Sequence, residues 1–193
     1  ELPEIHPHYA TPEQKGVYTP YKRDPETGAR YWAIPGQEGY EHILGGLEKD
    51  GDTGAISTDP ENHDKMCRLR AAKVFKIPVP DLEVQGDADD ADLLIVGFGG
   101  TFGHLYSAME EMRSAGHKVA LAHFNYINPL PKNTAEVLGK YKKVVVAEQN
   151  LGQFAGYLRM RIDNFMPYQF NQVKGQPFVV GELVKAFTKI INN

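Results

Sequence analysis

Beyond residue 80, short apolar runs alternate with segments whose apolar residues recur every three or four positions. The runs at 92–97, 118–124 and 143–148 are rich in aliphatic residues, which is typical of parallel strands buried on both faces. The segments at 101–115, 150–165 and 181–191 place apolar residues on one side of a helix. Weaker strands are predicted at 82–85 and 169–173, and a short helix is predicted to begin at a possible capping box of Asn133 and Glu136. This alternation predicts an α/β fold with a largely parallel sheet between two layers of helices.

The first 58 residues lack this regularity. Short apolar pieces such as the one around Trp32 are interrupted by Pro-Gly and Gly-Gly pairs, which predicts an irregular arm. Because the arm carries Trp32 and several tyrosines, we expect it to wrap over a surface. Asp59 and Pro60 are suited to begin a helix, and Pro78 to stop it. The predicted organisation is an arm at 1–58, a connecting helix at 59–79 and a domain at 80–193, with no internal repeat.

Composition and charge exclude several classes of protein. The chain has 193 residues, 21 basic and 25 acidic, for a net charge of −4, whereas proteins that bind nucleic-acid backbones are usually basic. The longest apolar runs are too short to cross a membrane. The single cysteine, Cys67, cannot form an internal disulfide and fits a reducing, cytoplasmic compartment. The chain begins with Glu1 and shows no signal peptide, so we expect it to be a piece of a longer protein.

A glycine-rich turn at 97–103 joins a predicted strand to a predicted helix. Glycines before a helix can bring backbone N–H groups close to a phosphate, which makes Gly99, Gly100 and Thr101 weak candidates for an anion site. The dinucleotide-binding fingerprint requires glycine where this chain has Phe102. We therefore favour a tight turn that packs the helix against the strand.

Other candidate sites are incomplete. His63 and Cys67 stand four residues apart on a helix, but two ligands do not make a zinc site, and a half-buried structural thiol is the preferred interpretation. An acidic stretch at 87–92 lacks the bidentate glutamate of a calcium loop. Glu148 ends a predicted strand where α/β proteins often bind ligands, although we favour a carboxylate bonded to the backbone of the next loop. The residues alone therefore predict no metal site and no complete active site.

Several motifs together resemble the alpha subunit of 2-oxoacid:ferredoxin oxidoreductases, especially of the 2-oxoglutarate type. Residues 20–76 resemble the middle of that subunit, and residues 80–193 resemble its last domain. The matching motifs are PYKRDP at 20–25, WAIPG at 32–36, YEH at 40–42, GGLE at 45–48, PENH at 60–63, MCRLRAAK at 66–73, NPLP at 128–131, EQNLGQ at 148–153 and NQVKGQPF at 171–178.

The resemblance implies a domain similar to the carboxy-terminal domain of transketolases. Its fold is a three-layer α/β/α sandwich with a mixed, mostly parallel five-stranded sheet. The first strand of that sheet is antiparallel, and it would be the one predicted at 82–85.

The family converts a 2-oxoacid and coenzyme A to an acyl-CoA and CO2, with reduction of ferredoxin; 2-oxoglutarate gives succinyl-CoA. It uses thiamine diphosphate, magnesium and iron–sulfur clusters. This sequence has neither the Gly-Asp-Gly and Asn-Asn pair that holds the diphosphate and magnesium nor a set of cluster-binding cysteines. The resemblance therefore implies a non-catalytic assembly domain that binds none of these cofactors, with a thiamine-binding beta subunit and a second alpha subunit as partners. The alternative is a free-standing module that binds a nucleotide or anion at the turn 97–103.

An assembly surface is predicted where the strands at 118–124 and 143–148 end, because the carboxyl ends of parallel strands share one edge. A proline-stiffened loop follows the first strand, and a helix that begins near a possible capping box of Asn150 and Gln153 follows the second. The amino end of that helix is expected to offer unpaired N–H groups to a partner. The interface candidates are Tyr126, Ile127, Asn128, Leu130, Asn150 and Gln153. The alternative is that these groups pack only on their own domain.

Overall fold

The computed structural model describes residues 4–193, which divide after Pro78 into two units. The first unit contains a short 3-10 helix (Pro12–Gln14) and the helix α1 (Pro60–Phe75), whose amino end is capped by the Asp59 carboxylate at 3.1 Å from the N–H of Glu61. Met66 and Asn62 are the buried residues of α1. The side-chain amide of Asn62 donates to the carbonyl oxygen of Lys49 at 2.9 Å, which fixes the preceding segment against the helix.

The first unit contains a repeated turn. Residues 24–29 and 50–55 share the pattern Asp-x-x-Thr-Gly-Ala. In each copy one Asp oxygen accepts from the backbone N–H and the hydroxyl of the Thr, at 2.7 and 2.9 Å for Asp24 and at 2.7 and 2.8 Å for Asp50. The glycines, Gly28 and Gly54, have φ of 73° and 76°, a backbone conformation that glycine adopts without strain. The prediction that the chain has no internal repeat is therefore wrong for these two turns.

Burial in the first unit differs from the expectation for its aromatic residues. Tyr40 is buried, but Trp32 is 63% exposed. Several aliphatic side chains of the same stretch are also exposed, namely Ile34, Ile43, Leu44 and Leu47.

The second unit is built on a five-stranded sheet. Its strands are β1 (Val84–Gly86), β2 (Leu93–Phe98), β3 (Val119–Phe124), β4 (Val144–Glu148) and β5 (Tyr168–Asn171), in the order β1-β3-β2-β4-β5. β1 pairs antiparallel with β3, and the other neighbours are parallel. The predicted mixed sheet with an antiparallel first strand is confirmed.

Helices cover both faces of this sheet. They are α2 (Phe102–Ser114), α3 (Thr134–Gly139), α4 (Gln153–Arg161) and α5 (Val180–Asn192). Leu94 and Val96 of β2 pack with residues of α3 and α4, whereas Leu93 and Ile95 pack with residues of α2 and α5. Because successive strand residues point to opposite faces, one apolar strand supplies both cores. The predicted three-layer α/β/α fold is confirmed.

The predicted helix starts are less accurate. Asn133 precedes α3 but does not cap it with its side chain; instead its amide accepts from the N–H of Leu82 at 2.8 Å and donates to the carbonyl of Leu82 at 3.0 Å. The capping box predicted there is therefore wrong. α4 is shorter than predicted, because Gly152 precedes it with φ of 96° and Ile162 after it is extended. Among the described residues, no helix combines the length and apolar character needed to cross a membrane.

Candidate functional site

Three connecting segments meet at the carboxyl edge of the parallel strands. β2 lies between β3 and β4 in the sheet, so the segments that follow these three strands are neighbours. In open α/β sheets this edge is where binding surfaces usually form. Two concave surfaces lie there, one on each side of the end of β2.

The first surface is an apolar hollow of about 250 Å3. Its wall combines Phe98 from the end of β2, Ile127 from the loop after β3, and Phe154 from α4. The Phe98 and Phe154 rings are 4.8 Å apart between centroids, and Phe154 also meets Phe124 at 5.1 Å. The remaining lining residues are Asn128, Gln153 and Tyr157. Ile127 is 38% exposed, so the hollow is an apolar surface open to solvent.

The position of α4, and with it Phe154, is set by Glu148. This carboxylate at the end of β4 is 0% exposed and accepts from the N–H of Phe154 at 2.8 Å and from that of Ala155 at 2.9 Å. A carboxylate at a helix amino end is stabilised by the hydrogen bonds and by the helix dipole. The preferred interpretation of Glu148, a carboxylate bonded to the following backbone, agrees with this geometry.

The same contacts correct the prediction for the amino end of α4. The N–H of Gln153 donates to the Asn150 side chain at 3.0 Å, and the N–H of Gly156 donates to the Gly152 carbonyl at 3.0 Å. Together with the two bonds to Glu148, these satisfy the first turn of the helix within the chain. The expectation that this end offers unpaired N–H groups to a partner is therefore wrong.

The structure places the predicted interface residues in different environments: at the hollow, against the core, in the turn before α4 and at the second concave surface. Ile127 and Asn128, from the loop after β3, meet Gln153, the first residue of α4, at the hollow. Leu130 is half-buried and packs against the core, which agrees with the alternative that this side chain packs on its own domain. Asn150 accepts from the N–H groups of Gly152 and Gln153 and shapes the turn before α4.

Sequence reasoning missed the aromatic wall of the hollow. Phe98, Phe154 and Tyr157 were not among the candidates, yet they line it. The available signal was the spacing of Phe154 and Tyr157, three residues apart on one helical face. An aromatic residue at the last position of β2, beside that helix, was the second signal.

The second concave surface is a cleft of about 510 Å3 on the β3 side of the edge. Tyr126, Gly99, Phe102 and His123 contribute to its wall. Burial lowers the pKa of His123, while its hydrogen bond to the Gly99 carbonyl acts in the opposite direction. A ring nitrogen of His123 lies 3.0 Å from that carbonyl oxygen, so the histidine ties β3 to the glycine-rich turn.

Residues of the glycine-rich turn make hydrogen bonds and packing contacts within the domain. The hydroxyl of buried Thr101 donates to the Phe98 carbonyl at 2.8 Å. A Cβ placed on Gly97 would lie 2.1 Å from the Leu105 side chain, so helix and strand approach each other closely here. Gly99 and Gly100 have open space beside them. Anion binding at Gly99, Gly100 and Thr101 stays a prediction, which a thermal-shift measurement with nucleotides would check.

Two residues of the acidic stretch at 87–92 form ion pairs with basic side chains. Asp87 binds Arg113 at 2.9 Å, and Asp90 pairs with Lys118. Cys67 is exposed, so the interpretation as a half-buried thiol is wrong. Across residues 4–193, no group of three or more His, Cys, Asp or Glu side chains is arranged to hold a metal ion.

Comparison with known proteins connects this architecture to a family. Residues 91–181 match the family model described as pyruvate:ferredoxin oxidoreductase core domain II. Over 94% of its length the chain is 46% identical to the 2-oxoglutarate oxidoreductase subunit KorA of Mycobacterium tuberculosis. The chain is a homologue of part of the alpha subunit of 2-oxoacid:ferredoxin oxidoreductases. The family resemblance carried by the sequence motifs is confirmed.

Further members of this oxidoreductase family support the assignment. The chain is 32% identical over 74% of its length to the 2-oxoglutarate synthase subunit KorA of Methanocaldococcus jannaschii, of which it covers 37%. The solved 2-oxoglutarate:ferredoxin oxidoreductase of Magnetococcus marinus matches 89% of this chain with a TM-score of 0.77 and 30% identity, and this chain covers 30% of it. That structure holds 2-oxoglutarate, coenzyme A and succinyl-CoA. The chain spans 27% of the Mycobacterium subunit, so it corresponds to only a portion of such an alpha subunit.

Proposed function

We propose that this chain is a non-catalytic assembly portion of the alpha subunit of an oxidoreductase that converts 2-oxoglutarate and coenzyme A to succinyl-CoA and CO2 while reducing ferredoxin. The observation that carries the proposal is the 46% identity to a 2-oxoglutarate oxidoreductase subunit over 94% of the chain. In the intact complex, thiamine diphosphate, magnesium and an iron–sulfur cluster would be held by other parts of the assembly. The proposed location is the cytoplasm, where a free thiol such as Cys67 stays reduced.

The assembly role is supported by the carboxyl edge of the sheet. The hollow formed by Phe98, Ile127 and Phe154 is apolar and open, and its wall is held by the rigid Glu148 contacts. A preformed apolar pocket suits an anchoring side chain of a partner, because little ordering entropy is lost on docking. The proposed partners are the thiamine-binding beta subunit and the second alpha subunit.

The experiment uses the intact alpha subunit with a double variant: Ile127→Ser changes the wall of the hollow, and Tyr126→Ala changes the neighbouring cleft at the same edge of the sheet. We expect the dissociation constant for the beta subunit, or for the alpha dimer, to rise about tenfold or more, as for hot-spot residues. Met166→Ser is the control, because Met166 is 74% exposed and precedes β5, at the opposite edge of the sheet. Association is measured by analytical ultracentrifugation.

Two further measurements separate the possible outcomes. The melting temperature of the 193-residue chain should stay within a few degrees in the double variant; unfolding would show that these side chains belong to the core. Unchanged association would contradict the interface. The substrate is tested separately by comparing kcat/KM of the intact complex for a panel of 2-oxoacids, where a preference for another acid would contradict the 2-oxoglutarate assignment.

A further inference from the structure

Three residues on the exposed face of α1, His63, Cys67 and Arg70, form a cluster with Glu48 from the preceding segment, and we call these four residues the thiol cluster. The thiol of Cys67 lies 3.7 Å from Nε2 of His63 and 3.0 Å from a terminal nitrogen of Arg70. Glu48, from the segment before the helix, contacts both partners of the thiol, His63 at 2.6 Å and Arg70 at 3.1 Å. The cluster therefore joins two separate segments of the chain around one sulfur atom.

Glu48 orients the imidazole of His63. The contact joins Nδ1 of His63 to a carboxylate oxygen of Glu48, and the hydrogen bond from His63, followed by that from Arg70, holds the pKa of Glu48 below its ordinary value. An ionised carboxylate accepts but does not donate, so Nδ1 carries the proton. In the neutral ring Nε2 is then the acceptor nitrogen; it faces the sulfur at 3.7 Å and can accept the thiol proton.

Arg70 stabilises the charge left on the sulfur. One of its terminal nitrogens donates to Sγ at 3.0 Å, and the other donates to Glu48 at 3.1 Å. The fork of the guanidinium is thus held in place while one arm points at the sulfur. A neighbouring guanidinium favours the thiolate, which is the reactive form of cysteine. Cys67 is also exposed, so a reagent can reach it.

We propose that Cys67 is a thiol-modification site that forms a mixed disulfide with a low-molecular-weight disulfide. His63 takes the proton of the thiol, and the thiolate attacks one sulfur of the reagent disulfide. The S–S bond of the reagent breaks as the new S–S bond to Cys67 forms. Cys67 is oxidised, and one half of the reagent is reduced and leaves as a thiolate. His63 and Arg70 are positioning residues that act through the sulfur.

The positive group beside the sulfur favours this chemistry over metal binding. A divalent cation bound to Sγ would lie next to the guanidinium of Arg70, and the cluster offers His63 as the second soft ligand but no third. The positive charges of the cation and of the Arg70 guanidinium, which lies 3.0 Å from the sulfur, would repel each other.

The test is the reaction of the 193-residue chain with the neutral disulfide 4,4′-dithiodipyridine, followed by the absorbance of the released 4-thiopyridone. Since the chain has one cysteine, the rate belongs to Cys67. We expect the native chain to react roughly tenfold faster than the same chain unfolded in urea. His63→Gln and Arg70→Gln should each slow the native reaction about threefold or more, whereas Arg70→Lys keeps part of the rate because it keeps the charge.

The control is Arg68→Gln, since Arg68 lies on the same helix but pairs with Asp64 at 2.7 Å. Its rate should equal that of the wild type. Added salt should slow the wild type more than Arg70→Gln, because exposed charge effects are screened. Circular dichroism checks that each variant is folded, and mass spectrometry checks that dithiothreitol removes the adduct. A native rate no faster than the unfolded rate, or His63 and Arg70 variants that behave like Arg68→Gln, would overturn the proposal.

Discussion

Replacing Glu148 by Gln tests whether one buried carboxylate holds α4 against the sheet. The change keeps the shape of the side chain but removes its charge. It also turns one of the two acceptor oxygens into an NH2 group. That group would then face the N–H of Phe154 or of Ala155, which now donate at 2.8 and 2.9 Å.

The cost follows from these contacts. A buried N–H left without an acceptor costs about 1–3 kcal/mol. Loss of the negative charge at the helix amino end adds about 0.3–2 kcal/mol. The remaining oxygen keeps one hydrogen bond, so we expect a loss of about 3 kcal/mol in the free energy of unfolding. For a unit of this size that lowers the melting temperature by roughly 10 °C.

The assay is urea unfolding of the 193-residue chain followed by far-ultraviolet circular dichroism, with a thermal melt as the second measurement. The matched control is Glu182→Gln, which changes a carboxylate in the first turn of α5. Glu182 is exposed and its nearest cation, Lys174, is 3.7 Å away, so this change should cost less than about 0.5 kcal/mol. If Glu148→Gln and Glu182→Gln unfold at the same urea concentration, the proposed role of Glu148 is refuted.

Two other predictions concern the same unit. Asn133→Ala removes both hydrogen bonds to the backbone of Leu82 and should lower the free energy of unfolding in urea by about 1–2 kcal/mol. The control is Asn125→Ala, which changes an exposed residue; an equal effect of the two changes would contradict a stabilising role for the Asn133–Leu82 hydrogen bonds. Burial lowers the pKa of His123 below its ordinary 6.5, so protonation is harder in the folded chain and stability falls as the pH drops below that value. His123→Gln should therefore lose less stability than the wild type between about pH 7 and pH 5, and equal losses would argue against a half-buried histidine that is neutral in the folded chain.

The second unit was predictable because its strands are strongly patterned. Continuous aliphatic runs at β2, β3 and β4 can only be buried between two helix layers, and the structure places them there. The ends of helices were less predictable, because a side chain that could cap a helix can also bind elsewhere. Asn133 has the right type and spacing for a cap, but it binds Leu82, 51 residues away along the chain. No local pattern encodes that choice.

The candidate site was only partly predictable for a related reason. Parallel topology places the loops after β3 and β4 at one edge, so Ile127 and Gln153 could be expected to be close. Whether a loop side chain points outward or inward depends on packing, and Leu130 points to the core. The thiol cluster depends on Glu48, which lies outside the helix that carries His63 and Cys67. Helical spacing therefore predicted the pair but not its carboxylate partner.

The two Asp-x-x-Thr-Gly-Ala turns suggest how this chain can be redesigned. The hydrogen bonds of each turn are made within the turn itself. Pro25 and Glu26 can therefore be replaced by Gly and Asp, the residues at positions 51 and 52 of the other turn. Loss of the proline should lower the free energy of unfolding by about 0.5–1 kcal/mol. The reverse graft should fail. A Cβ at position 51 would lie 3.2 Å from the Met66 sulfur, and a proline there cannot donate to Asn62 as the Gly51 N–H does at 3.3 Å. The two turns are therefore interchangeable in one direction only, since the second is also a packing element of α1.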